Sequence, residues 1–480
     1  MRSAAVQMRF VRDGLQIVAL ALLTSSCALG PDFERPVAPD PPGYTAEPAP
    51  MHMSPSAGGG DQGLELAREI SAQWWEAFHS PELGPVVEQA LRDSPSLAAA
   101  RATLAQAREQ IIAARGGLFP QLDVGGSISR EHSAGNDSKI SDLYSVGPSV
   151  RYTLDVFGAI RRGVEQQTAL AELQYHELAA AWLALTGNAV TGAITIASLR
   201  EQLEASEALV EQDRTNLELV RNKFEAGKAA RSDVLVAQTQ VASDIAELPL
   251  LRQQLAEAQH ALAVLVGQLP GEWSPPAFTL DDFELPGVLP LSLPSELVRQ
   301  RPDILAAESD LHAASAAVGV ATAQLFPSLT LSADLAREGI VSGAAGTAFA
   351  LAAQLTAPVF HGGTLRAQRR GAVDAYEASF ARYRETVLTG FQQVADSLRA
   401  LANDTDLIGA QTERLEVAEQ SLELQRISYE AGKSNLLLLV AVQRAYQQAR
   451  IAYVQARGQR LQDSAQLFVA LGGGWWNEGL

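Results

Sequence analysis

The chain has 480 residues, 47% of them hydrophobic, and a formal net charge of −18. It is long enough for two or three domains and apolar enough to bury a core, which excludes an intrinsically disordered protein. The acidic balance excludes nucleic acid or an anionic lipid surface as the main partner, because such binding needs basic patches.

At the N-terminus, Arg2, Arg9 and Arg12 precede an apolar run, Leu15 to Leu23, that is too short to span a bilayer. Residues 1–26 therefore read as a signal peptide. Cys27 is the single cysteine of the chain, so an internal disulfide and a cysteine-based zinc cluster are excluded. It reads either as an ordinary buried thiol or as the acylated first residue of a bacterial lipoprotein. Ser25 and Ser26 before it and the polar "PDFERP" after it favour acylation. Thr24 departs from that pattern, since such signals usually carry leucine three residues before the cysteine and Leu23 stands one place too early. Residues 27–63 are then an acylated, extended linker, dense in Pro, Gly and Ala from Pro36 to Gly60. Order is expected from "SAQWWEAF" onward.

Two halves superimpose. "DSPSLAAARATLAQAREQIIAARGGLFPQLDVGGSISRE" lies over "QRPDILAAESDLHAASAAVGVATAQLFPSLTLSADLARE", with Pro95 against Pro302 and Phe119-Pro120 against Phe326-Pro327, an offset of 207. "LDVFGAIRRG" lies over "APVFHGGTLR" at an offset of 203, and Gly227-Lys228 over Gly432-Lys433 at 205. Such spacing marks an internal duplication: a first repeat at 64–270, a connection at 271–294 and a second repeat at 295–480.

Each repeat switches from helical to strand period after its Phe-Pro. Leu122, Val124 and Ile128 alternate with Asp123, Ser127 and Ser129, and Val146, Val150, Tyr152 and Leu154 with Gly147, Ser149, Arg151 and Thr153. In the second repeat Leu329, Leu331 and Leu335 alternate with Thr330, Ser332 and Asp334, and Phe349, Leu351 and Leu355 with small or polar partners. These runs of about ten residues match tilted transmembrane strands, and the polar "HSAGNDSKISD" and "GIVSGAAG" join them into one hairpin per repeat. No proline occurs between Pro148 and Pro249 or after Pro358, although the chain holds 23. Gaps of that size predict long uninterrupted helices, of which Arg161 to Phe224 alone would run roughly 96 Å. A Gly-Lys turn reverses the chain, and Ser232 is a candidate cap for the helix that follows. The repeat reads helix, hairpin, very long helix, turn, helix.

Four strands with one apolar face cannot close a barrel, and an open edge in hydrocarbon leaves backbone amides unsatisfied. Two chains would give eight strands around a filled interior; three would give twelve, wide enough for a water-filled passage. The Ser, Thr, Gly and Asp of the alternate face favour the trimer.

Other chemistries find little support. Gly432-Lys433-Ser434 resembles the end of a phosphate loop, but Ile427 occupies the place of its first glycine and no strand precedes it. The seven histidines are scattered, without an HExxH, GxSxG or GxGxxG in a suitable context, so neither an enzyme nor a cofactor is implied. His361, beside Gly362-Gly363, reads as part of a strand-to-helix corner, and Trp74, Trp75, Trp475 and Trp476 as packing or collar residues.

"CALGPDFERP", "LVRQRPDILAAESDLHAASAAVGVATAQLFPSLTLSA" and "YEAGKSNLLLLVAVQRAYQQA" stand in an order that resembles the TolC-like outer-membrane factor family, in its OprM/NodT-type lipoprotein branch, over the chain from Cys27 to "LGGGWW". The resemblance implies a mainly α fold with membrane β: a homotrimer whose twelve-stranded barrel, four strands per chain, continues as a long α-helical barrel. It implies the outer-membrane channel component of a tripartite efflux system in a Gram-negative bacterium. The channel is lipid-anchored in the outer membrane, extends into the periplasm, and works with a periplasmic membrane-fusion adaptor and an inner-membrane pump, usually of the resistance-nodulation-division type. The tips at Gly227, Lys228, Gly432 and Lys433 are then adaptor contacts, although the lysines equally fit as helix C-terminal charges. Leu437 falls where the family places a constricting leucine ring, although "LLLL" at 436–439 equally fits an interhelix core. Ala441 stands where an aspartate is often found, and Asp233 is the remaining acidic gate candidate. The rival is a pore-less periplasmic coiled-coil scaffold lipoprotein.

Overall fold

The computed structural model describes residues 28–47, 50–56, 60–133, 139–341 and 343–477. Residues 1–26, read as a signal peptide, and Cys27 lie outside the described residues. In chain order the elements are β1 (His52–Met53), β2 (Gln62–Leu66), α1 (Leu83–Asp93), α2 (Pro95–Gly116), β3 (Gln121–Ser133), β4 (Lys139–Leu154), α3 (Ala159–Glu225), α4 (Arg231–Leu265), β5 (Val288–Leu291), α5 (Pro294–Gln300), α6 (Pro302–Ala323), β6 (Ser328–Ile340), β7 (Ala345–Thr356), α7 (Thr364–Glu430) and α8 (Leu436–Ala470). The two repeats therefore share one element order. Their long helices, α3 and α7, have 67 residues each, and their returning helices, α4 and α8, have 35 each. Proline opens α2 and α6, where its missing N–H would have no intrahelical partner in any case. Pro249 lies inside α4, which continues through it at the cost of one backbone hydrogen bond.

One compact unit gathers the described residues up to Pro36 with Thr103–Tyr175 and Ala306–Glu385. Its sheet has the order β3-β4-β6-β7, every neighbour antiparallel, so the hairpins of the two repeats meet at β4 and β6. The chain after residue 27 is strapped onto this unit. Arg162, almost wholly buried, donates to the Leu29 carbonyl at 3.2 Å, Asp32 at 2.7 Å and Glu165 at 2.7 Å. Phe33 stacks on His312 at 4.4 Å, and Arg35 pairs with Glu308 at 2.6 Å.

The second unit gathers the described residues of Val37–Ala102, His176–Leu305 and Thr386–Leu480. Trp74, Trp75, Trp182 and Trp475 are all buried here; Trp74 stacks on Phe468 at 5.4 Å, and Trp475 donates to the Gln300 carbonyl at 2.8 Å. The tryptophans 74, 75 and 475 are thus packing residues. Within the Arg301-Pro302-Asp303 motif, the Arg301 guanidinium donates to both oxygens of Asp303 (3.0 and 2.6 Å), to the Ala470 carbonyl (2.8 Å) and to Gln393 (2.7 Å). It joins the start of α6 to the end of α8 and to α7.

Two local expectations change. The stretch read as linker contributes β1 and the first residues of β2, and β2 pairs in parallel with β5 from the inter-repeat connection. The helix after the first tip is capped at Ala230 rather than Ser232: the Asp233 carboxylate accepts the Ala230 N–H at 3.0 Å.

Candidate functional site

Both tips are built alike. At the first, the Gly227 N–H donates to the Phe224 carbonyl at 2.9 Å and the Lys228 N–H to the Lys223 carbonyl at 2.7 Å. At the second, the Gly432 N–H donates to Tyr429 at 3.1 Å and the Lys433 N–H to Ser428 at 2.9 Å. This paired pattern closes a helix when the residue after its last turn is left-handed, and Gly227 (φ +66°) and Gly432 (φ +71°) supply that conformation. The glycine-lysine pair is thus a helix terminator. Both lysines are exposed, and among the described residues neither enters an ion pair.

The returning helices start on different caps. α4 uses the Asp233 carboxylate; α8 uses Asn435, whose side chain accepts the Leu438 N–H at 2.9 Å. The two tips share one core of Leu217, Val220, Val234, Ala237, Tyr429, Leu436 and Leu439. Lys223 sets its ammonium 3.7 Å from the centroid of the Tyr429 ring. The "LLLL" run therefore divides by helical spacing: Leu436 and Leu439 are core, while Leu437 and Leu438 face outward. Ala441, one turn beyond Leu437, is also exposed.

Sequence reasoning passed over a polar layer between the same helices. Asp213 (α3) and Asp244 (α4) are both buried, both oxygens of Asp244 accept from the Gln240 side-chain amide at 2.9 Å, and Arg444 of α8 donates to Gln240 Oε1 at 2.7 Å. Nearby, Asn216 donates to Gln443 at 2.8 Å. A signal was present: Asp213 falls three residues after Val210 and four before Leu217, between apolar positions of the buried stripe.

In the other unit, the four-stranded sheet sorts its side chains by face. Its register sets Leu122, Val150 and Ala333 in one row, and Tyr152, Leu331 and Ala353 in another. Leu122, Val124, Ile128, Leu335, Phe349, Leu351 and Leu355 lie on this face, all exposed. From Tyr144 to Leu154 the apolar face runs about 33 Å along the strand, or about 25 Å of height at membrane-barrel tilt. The other face carries Asp123, Ser149 and Asp334 in one row and Gln121, Arg151 and Ser332 in the next. The outer strands β3 and β7 each pair on one side only.

An antiparallel sheet with an exposed apolar face of bilayer height and two open edges is the wall of an outer-membrane channel, and long paired helices with glycine tips belong to the exporting kind. Residues 86–268 and 293–473 match the outer membrane efflux protein family, one match per repeat. The chain belongs to that family. It is 35% identical over 425 residues to the pyoverdine export outer membrane protein OpmQ of Pseudomonas aeruginosa, covering 85% of this chain and 88% of that one. It is 32% identical over 467 residues to nodulation protein T of Rhizobium leguminosarum bv. viciae, covering 96% and 93%. The solved outer-membrane channel OprN superposes with a TM-score of 0.83 at 28% identity, over 94% of this chain and all of that one. The protein is accordingly an outer-membrane efflux channel component of a Gram-negative bacterium.

Proposed function

We propose that three copies close a single barrel of twelve strands, anchored by acyl chains on Cys27. The carrying observation is the pair of open edges, β3 and β7, on a sheet whose apolar face has bilayer height. Each edge strand leaves a row of N–H and C=O groups that lipid cannot satisfy, and a neighbouring copy supplies both partners at once. The polar face then lines a water-filled lumen.

The helices form the wall of the periplasmic passage, and their tips are its entrance. Lys228 and Lys433, exposed beside the terminating glycines, suit contact with a periplasmic adaptor that hands over cargo from an inner-membrane pump of the resistance-nodulation-division type. Leu437 is the constricting side chain: it projects from the first turn of α8 and, repeated in three copies, forms an apolar ring that closes by contact and dewetting. Asp233 is spent mainly on capping α4 and adds negative charge at the same entrance.

Purified protein added to planar lipid bilayers tests this reading. Stepwise conductance from a largely closed state is expected; a protein that inserts and never conducts would overturn it.

A further inference from the structure

We propose that Asp213 and Asp244 form a shared-proton latch that holds α3 against α4 near the first tip and releases when the proton leaves. The inference deepens the channel reading and rests on it, since it assigns a control to the proposed entrance.

The two carboxyls come from different helices, each about four turns from the turn at Gly227. Asp213 is 5% exposed and Asp244 8%. The Gln240 amide already satisfies Asp244 through both oxygens, whereas Asp213 Oδ2 is buried with no donor from the protein. A proton on Asp213 that is donated to Asp244 completes the arrangement without any other group. Burial first, and then Asp244, push the Asp213 carboxyl up to about 8, against the pull of Asn216 and Arg444.

The cations nearby offset a second negative charge only in part, since burial and Asp244 outweigh Arg444 and Asn216 at Asp213. A cavity of about 320 Å³ adjoins the pair, and α4 contributes a further acid to it, Glu247. From α8 come Gln443, Gln447 and Arg444, which donates to the Gln240 side-chain oxygen, while Arg450 of the same helix lines the adjoining space. On α7, Glu423 and Arg426 line the adjoining space beside Asn216 and Gln443, and Arg426 already lies 3.6 Å from Glu423 and 3.9 Å from Glu430. Loss of the proton to water leaves two buried carboxylates facing each other across the α3 and α4 contact, and their repulsion separates those helices.

The sign follows from the raised Asp213 value. The native tip holds this proton more tightly than an open one, so closure is strongest at acid pH, weakens as pH rises from the ordinary carboxylate range through about 8, and changes little beyond that. An efflux duct with this device loosens in alkaline surroundings.

Hydrogen–deuterium exchange on the full-length protein in detergent tests the latch, read on peptides covering 205–222 and 235–250 at pH 6.5 and 9 after correction for intrinsic rates. In the unmodified protein, protection of both segments is expected to fall about thirtyfold between pH 6.5 and pH 9, the factor set by the interval from 6.5 up to the Asp213 value of about 8. Asp213→Asn, whose amide still donates to Asp244, should hold its protection constant between the two pH values, and Asp244→Asn should shrink the step, by removing the repulsion while the burial of Asp213 remains. Equal protection of the unmodified protein at both pH values, or an undiminished step in Asp213→Asn, would overturn the latch. Conductance recorded in parallel separates the two readings: channels that conduct without a pH step refute the latch alone, and a preparation that never conducts refutes the channel.

Discussion

Leu437 and Leu439 stand two residues apart in the first turn of α8 and meet opposite environments: Leu437 is 69% exposed, whereas Leu439, at 3%, is packed into the shared tip core. Substitution separates their roles. In the proposed ring, Leu437→Ser would remove about 1.5 kcal/mol or more of apolar contact per side chain, so single-channel recording should show opening probability rising about tenfold or more, with thermal stability unchanged. Leu439→Ser should instead lower stability by about 2–5 kcal/mol, as for a core leucine truncation.

The terminating glycines carry a backbone cost and nothing else, because a Cβ at Gly227 or Gly432 would meet open space. Gly432→Ala is therefore expected to destabilise the tip by about 1–2 kcal/mol, the cost of a left-handed L-residue, and Gly432→Asn by less. Calorimetric melting of the two variants checks the order, which a steric explanation would not produce.

Arg301 is committed to Asp303, Gln393 and two backbone carbonyls, a planar fork that an ammonium cannot reproduce. Arg301→Lys should cost about 3 kcal/mol or more by leaving buried acceptors unpaired, measured as a loss of heat-resistant oligomer.

Asp404 is buried, and burial first, with Asp463 beside it, raises its carboxyl to about 7. The folded protein therefore binds this proton more tightly than the unfolded chain, and stability falls as pH rises from the ordinary carboxylate range through about 7. Asp404→Asn should melt higher than the parent at pH 8, with the advantage shrinking toward pH 4.

In the barrel lumen, Asp123 and Asp334 flank Ser149 in one row, while Arg151 stands in the next. The described lumen face thus carries more acid than base, and reversal potentials in a salt gradient should show a mild cation preference. Asp123→Asn combined with Asp334→Asn should move the potential toward anion selectivity.

Much of this architecture was legible because it is local and repeated. A helix expected over Arg161 to Phe224 runs Ala159–Glu225, and the apolar alternation placed all four membrane strands. What escaped was non-local. β2 finds its partner β5 more than 200 residues away, from a segment whose proline and glycine content reads as linker. Tyr44 in that segment even donates to the Ser292 carbonyl at 2.9 Å. The first-tip cap was misplaced by two residues because a serine next to the turn outranks alanine by propensity, while the carboxylate of Asp233 reaches back to serve instead. The Asp213 and Asp244 layer was visible only as charges interrupting apolar stripes, a pattern that acquires meaning once both helices are known to face each other.

Edge satisfaction by neighbouring copies is the premise from which pore, constriction and latch all follow. The mass of the mature protein in detergent, by native mass spectrometry, tests it most directly. Three chains per particle are expected, falling apart only under conditions that also unfold the sheet. A stable single chain that stays soluble once the detergent is removed would contradict it.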